Sequence, residues 1–92
     1  MSILTASELA AALTKLPEWT AEGAEIVKTY TFPNFVTAIA FVNRVAPLAE
    51  EAAHHPDIDI RYSRVRIALT THDEGGITAK DTDLAARCDA IG

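Results

Sequence analysis

Asp57-Ile58-Asp59-Ile60-Arg61-Tyr62-Ser63-Arg64-Val65-Arg66-Ile67-Ala68-Leu69-Thr70 is the stretch that decides the fold. Ile58, Ile60 and Tyr62 alternate with Asp57, Asp59 and Arg61, and Val65, Ile67 and Leu69 alternate with Arg66, Ala68 and Thr70. Successive side chains of a strand point to opposite faces, so both arms read as strands with one wet and one buried face. Ser63-Arg64 reads as the turn between them. It sets Tyr62 opposite Val65, Ile60 opposite Ile67 and Ile58 opposite Leu69, so every apolar residue meets an apolar partner. The turn has no Asn-Gly chemistry, which leaves burial to set the register.

Upstream of this hairpin, Pro33 and Asn34 open a long helix. Phe35, Ala38, Ile39, Val42, Val45 and Ala46 make its apolar stripe, at spacings of three and four. Phe35 and Phe41 read as core. Pro47 removes a helical hydrogen bond and crowds the preceding turn, which predicts a kink over Asn43 to Pro47. The helix then resumes to about Ala53, and Pro56 closes it. Further upstream, Thr5-Ala6-Ser7-Glu8 has the spacing of a capping box, with Leu9, Leu13 and Leu16 following before Pro17 stops the helix. A short strand around Trp19, a turn at Ala21-Glu22-Gly23-Ala24, and the β-formers of Glu25 to Phe32 predict a first hairpin. Downstream, Asp73 to Gly76 reads as a loop. Thr78 with Asp81 resembles a capping box, and Leu84, Ala85, Cys88 and Ile91 form the stripe of a last helix. The expected fold is α+β in the order α-β-β-α-β-β-α, a four-stranded antiparallel sheet with helices packed on one face.

With 92 residues, the chain is long enough for a single domain, 1–92. Its formal net charge of -5 argues against a nucleic-acid surface. The lone Cys88 cannot form an internal disulfide, reads as packing, and fits a reducing compartment. No signal peptide opens the chain and no apolar run is long enough for a membrane span. The expectation is a soluble, cytoplasmic protein. Arg61, Arg64 and Arg66 read as a solvated strand face.

All 3 histidines lie between Glu50 and His72, in Glu50-Glu51-Ala52-Ala53-His54-His55-Pro56 and at His72 itself. Imidazole both gives and takes a proton near neutral pH. Continuing the hairpin ladder sets Asp57 opposite Thr70 and His72 opposite His55, so the three rings are expected to converge. Glu50, four residues before His54 on one helix face, can hold that imidazole in one tautomer. Asp81, in the first turn of the last helix, can reach the same cleft or simply cap its helix. A His-His pair at a helix end also suits a solvated cap, and Trp19 suits the core as well as a ligand wall. Zinc on three imidazoles is a further option. Neighbouring side chains diverge, however, so no metal is expected.

These residues carry a resemblance. Glu50, His54-His55-Pro56, Tyr62, His72 and Asp81 match the core pattern of the pterin-4a-carbinolamine dehydratases. Leu16-Pro17-Glu18-Trp19, the helix opening from Phe32 to Phe41, Asn43-Arg44-Val45-Ala46 and Thr70-Thr71-His72 agree as well. The chain departs from the pattern at Pro47 and at Lys80, where the family often has arginine. The resemblance implies dehydration of 4a-hydroxytetrahydrobiopterin to quinonoid dihydropterin, which recycles the pterin of aromatic amino acid hydroxylases. It implies no cofactor and a homodimer or homotetramer. Some animal members also bind a homeodomain transcription factor, so a dimerisation or transcription-cofactor module is the alternative. The expected catalytic residues are His54, His55, His72, Glu50 and Asp81. His54 and His72 form the acid-base pair, with the assignment of acid and base open. Glu50 orients His54, and Asp81 positions His72 or the pterin edge. Substrate binding is expected from His55, Pro56, Thr71, Asp81 and Trp19.

Overall fold

A computed structural model of the chain describes residues 2–92. Seven elements follow in order: α1 (Ala6–Leu13), β1 (Thr20–Glu22), β2 (Glu25–Thr31), α2 (Phe35–Ala52), β3 (Asp57–Arg61), β4 (Arg64–Leu69) and α3 (Ala79–Ile91). The fold is α+β, with the helices on one face of a four-stranded antiparallel sheet ordered β1-β2-β4-β3. Each helix starts on a side-chain cap. Thr5 pairs reciprocally with Glu8, Asn34 with Thr37, and Thr78 with Asp81. Such boxes satisfy amides that a helix leaves orphaned in its first turn.

β2 and β4 lie at the centre of the sheet, and their alternation builds the core. Tyr30 pairs with Val65, Lys28 with Ile67, and Ile26 with Leu69. Val65, Ile67 and Leu69 are completely buried, in one cluster with Phe41 and Val45 of α2 and Leu84 and Cys88 of α3. Phe41 sits 4.5 Å from the Tyr30 ring and 5.1 Å from Phe32, centroid to centroid. Burial raises the Cys88 thiol to about 11, with Asp89 adding to it, so the group packs as a neutral thiol.

The β3–β4 hairpin forms, but its register differs from the expected one. Ile60 faces Val65 and Ile58 faces Ile67, and the turn is Tyr62-Ser63 rather than Ser63-Arg64. A slip of two residues keeps every side chain on its face, so apolar matching alone does not separate the two registers. Pairing with β2 fixes β4, and Tyr62 moves into the turn with φ 52°, largely exposed. His72 therefore does not stand opposite His55.

One further expectation changes, at Phe35. α2 continues through Pro47 from Phe35 to Ala52. Pro47 and Asn43 both lie on the exposed side, where water can take the carbonyl that the proline leaves without a partner. Phe35 is not core but half-exposed, because the buried stripe of α2 is Ala38, Phe41, Val45 and Ala49. α2 ends at Ala53, which adopts the left-handed conformation, φ 51° and ψ 40°.

Trp19 is buried beneath β1 and held by a carboxylate of α3. Asp89 accepts hydrogen bonds from Trp19 Nε1 (3.2 Å), Lys28 Nζ (2.7 Å) and the Tyr30 hydroxyl (2.5 Å). Burial alone would raise the Asp89 pKa, but these three donors outweigh it and hold the carboxyl below its ordinary value. Burial likewise opposes charge on Lys28, and the hydrogen bonds and charges of Asp89 and Glu18 together more than compensate. Tyr30 is raised, by burial first and by Asp89 second.

Two predictions follow from these contacts. A left-handed alanine is strained by about 1 kcal/mol relative to glycine. Ala53→Gly should therefore raise the melting temperature by a few degrees, about 4–8 °C per kcal/mol at this chain length. Asp89→Asn should cost about 2 kcal/mol at pH 7. A depressed carboxyl stabilises the fold above its unfolded pKa of about 3.9 and loses that contribution as pH falls through its folded value. The stability gap between wild type and Asp89→Asn, measured by urea unfolding, should therefore narrow below about pH 4.

Candidate active site

The junction between α2 and β3 holds Ala53, His54, His55 and Pro56. The left-handed turn at Ala53 lets the His54 amide bond back to the Ala49 carbonyl at 3.0 Å. The two neighbouring imidazoles then take opposite directions. His54 turns inward and is buried, while His55 stays exposed. Across from them runs Thr70-Thr71-His72, where β4 gives way to a tight loop closed by a bridge between Thr71 and Gly76. Ala53, His54, His55, Thr70, Thr71, His72, Asp73 and Lys80 line one cleft of about 200 Å³. The three histidines therefore share one cleft, although the ladder that brings them together is two residues out of the expected register.

Asp81 organises the inner wall. Its side chain is completely buried at the start of α3. One carboxylate oxygen meets His54 Nε2 at 2.5 Å. The other accepts from the Thr71 hydroxyl and from the Thr78 amide, both at 2.9 Å. Thr71 and Thr78 join their hydroxyls at 2.8 Å. A carboxylate only accepts, so His54 Nε2 carries the hydrogen in this arrangement. His54 Nδ1 has no hydrogen-bond partner among the described residues and is not sealed from the cleft, since no buried side-chain nitrogen or oxygen there lacks a partner. A neutral His54 thus presents a lone pair on Nδ1.

The carboxylates are allotted differently from the sequence reading. Glu50 pairs with His55 Nε2, not with His54, and both groups are largely exposed. Asp81 engages His54, not His72. It has no exposed surface with which to meet a ligand. The Thr71 hydroxyl is committed to Asp81 and Thr78. Pro56 is half-buried beside the cleft residues without lining the cleft. Trp19 lies elsewhere, in the core on Asp89. His72 is exposed and forms no side-chain hydrogen bond among the described residues. Lys80 lines the cleft and was not among the expected site residues. Its place one residue before Asp81 was the available signal.

Larger hollows exist, such as one of about 370 Å³ between α1 and α3, lined by Ala11, Ala12, Lys15, Leu16, Thr82, Asp83 and Ala86. It holds no histidine and no convergent polar network, so chemistry rather than size selects the histidine cleft. Among the described residues, no three His, Cys, Asp or Glu side chains gather closely enough to hold a metal ion, and no helix is long and apolar enough to cross a membrane.

Comparison with known proteins agrees with this geometry. The family model described as pterin 4 alpha carbinolamine dehydratase matches residues 2–91. A Chloroflexus aurantiacus protein, provisionally named pterin-4-alpha-carbinolamine dehydratase, is 58% identical over 91 residues, covering 99% of this chain and 98% of its own. An Acidobacterium capsulatum protein of the same provisional name is 53% identical over 91 residues, covering 99% of each. The crystal structure of a transcriptional coactivator/pterin dehydratase from Brucella melitensis superposes with a TM-score of 0.95 at 36% identity, covering 98% of each chain. A pterin dehydratase-like protein identified as a RuBisCO assembly factor in the alpha-carboxysome is more distant, with TM-score 0.66 and 26% identity over 79% of this chain and 84% of its own. By sequence and fold, the chain belongs to the pterin-4-alpha-carbinolamine dehydratase family.

Proposed function

We propose that this chain eliminates water from 4a-hydroxytetrahydrobiopterin to give quinonoid dihydropterin, recycling the pterin cofactor of aromatic amino acid hydroxylases without a cofactor of its own. The observation that carries the reading is that the buried Asp81–His54 pair shares one cleft with His72, which is exposed and has no side-chain hydrogen-bond partner among the described residues. The reaction needs a proton delivered to a poor leaving group and another taken from the ring. The C4a hydroxyl is protonated, the C4a–O bond breaks, the N5 lone pair forms the C4a=N5 bond, and the N5 proton departs. Water and the quinonoid product leave, with no change in electron count.

Asp81 fixes the tautomer that leaves His54 Nδ1 as an acceptor, which suits His54 to the N5 proton. His72, unpaired and wetted, suits the acid that protonates the hydroxyl. His55, steadied by Glu50 at the rim, holds substrate, and Thr71 forms part of the wall behind it. Asp81 is a positioning residue here, acting through His54. A reducing, cytoplasmic setting fits the buried thiol of Cys88. A homodimer or homotetramer fits the exposed Phe35 and Val36 at the start of α2. That same patch, with the coactivator name of the Brucella relative, favours as a second reading a dimerisation or transcription-cofactor module of the same fold.

Turnover of enzymatically generated 4a-carbinolamine tests the first reading. His54→Ala and His72→Ala should each lower kcat/KM by about 10²–10⁴-fold while circular dichroism stays unchanged. Near-normal rates in both variants would remove the assignment. In Asp81→Asn, an amide can donate to Nε2 and turn the imidazole over. The expected result is a kcat loss of up to about 10⁴-fold, as when an imidazole is held in the wrong tautomer, with KM little moved. A merely structural role would instead lower the melting temperature and leave kcat of the folded fraction intact.

A further inference from the structure

Lys80 lines the histidine cleft, is exposed, and enters no ion pair among the described residues. Of the other basic side chains there, His54 lies against the Asp81 carboxylate and His55 against that of Glu50. His72 carries an imidazole rather than an ammonium and forms no ion pair among the described residues. Among the described residues that line the cleft, Lys80 is the lysine or arginine, and it has no ion-pair partner. Its backbone is held in place, because its amide bonds to the Thr78 hydroxyl within the same capping turn that carries Asp81. Asp73 also lines the cleft, from the loop after His72, and forms no ion pair with Lys80.

We propose that Lys80 is a specificity residue that selects pterins bearing an anionic group, phosphate or carboxylate, on the C6 substituent. The inference rests on the dehydratase reading for the placing of the ring between His54 and His72. C6 adjoins N5, so a C6 substituent leaves the ring beside the reacting bond, within reach of a lysine on the same cleft wall. A neutral dihydroxypropyl chain would leave this ammonium to water alone. An anion would meet it at a solvent-facing site, where such a contact is modest and sensitive to salt. Asp73 opposes the same anion and sharpens the choice of which end of the cleft the substituent occupies.

Equilibrium fluorescence quenching by stable, oxidised pterins tests this without turnover. The probes are 6-hydroxymethylpterin, its phosphate ester and pterin-6-carboxylate, the last two separating the possible sources of charge. Wild type should bind at least one anionic probe about fivefold more tightly than the neutral one at low salt. The preference should vanish at 1 M salt and in Lys80→Gln, persist in Lys80→Arg, and grow in Asp73→Asn. Equal affinity for all three probes in wild type, or an unchanged preference in Lys80→Gln, would overturn the proposal. A preference for one anionic probe alone identifies the group. Failure of the dehydratase reading has a different signature, namely no turnover of any carbinolamine, charged or neutral, by a protein that still discriminates among these probes.

Discussion

The site depends on one buried carboxylate. Asp81 caps α3, receives the Thr71 hydroxyl from the end of β4, and takes the His54 imidazole from the end of α2. Those contacts tie together three segments that are far apart in sequence. A charge with no solvent exposure is tolerable only where donors surround it. Here every lone-pair direction that matters has a donor of its own, so the same network that makes the burial affordable also sets the orientation of His54. Removing one partner of such a buried pair typically costs about 3–5 kcal/mol, a large share of the roughly 5–15 kcal/mol that holds a small domain together. Stability and positioning are therefore coupled at this residue.

A second carboxylate, Asp89, does comparable work at the other end of α3. It gathers donors from Trp19, Lys28 and Tyr30, and so fastens the helix to β2 and to the segment before β1. The difference between the two lies in what faces them. Asp89 meets groups that hold their protons at neutral pH, with Tyr30 raised further, and so it serves as a clamp. Asp81 meets the imidazole of His54, a residue that lines the histidine cleft. The same physical device becomes either scaffold or site according to its partner's ability to exchange a proton.

Much of this was legible in the sequence. The period-two alternation of Ile58–Tyr62 and Val65–Leu69 located the hairpin, and capping residues located the starts of all three helices. The convergence of His54, His55 and His72 also followed, because it needs only that a helix end and a strand end meet. What escaped were choices among nearly equal options. Two hairpin registers matched apolar to apolar equally well, and only pairing of β4 with β2 separates them. Glu50 is spaced to reach His54, but the left-handed turn at Ala53 rotates His55 toward it instead. Trp19 could equally have been a ligand wall, and its indole hydrogen went to a carboxylate 70 residues away that no local pattern announces.

The segment from Ala53 to Pro56 has a consequence of its own. Between the last residue of α2 and the first of β3 there is just enough chain to reverse direction and aim two adjacent rings apart, one into the protein and one to its rim. Adding or deleting a residue here would exchange which ring points inward, leaving the buried acid facing the wrong neighbour.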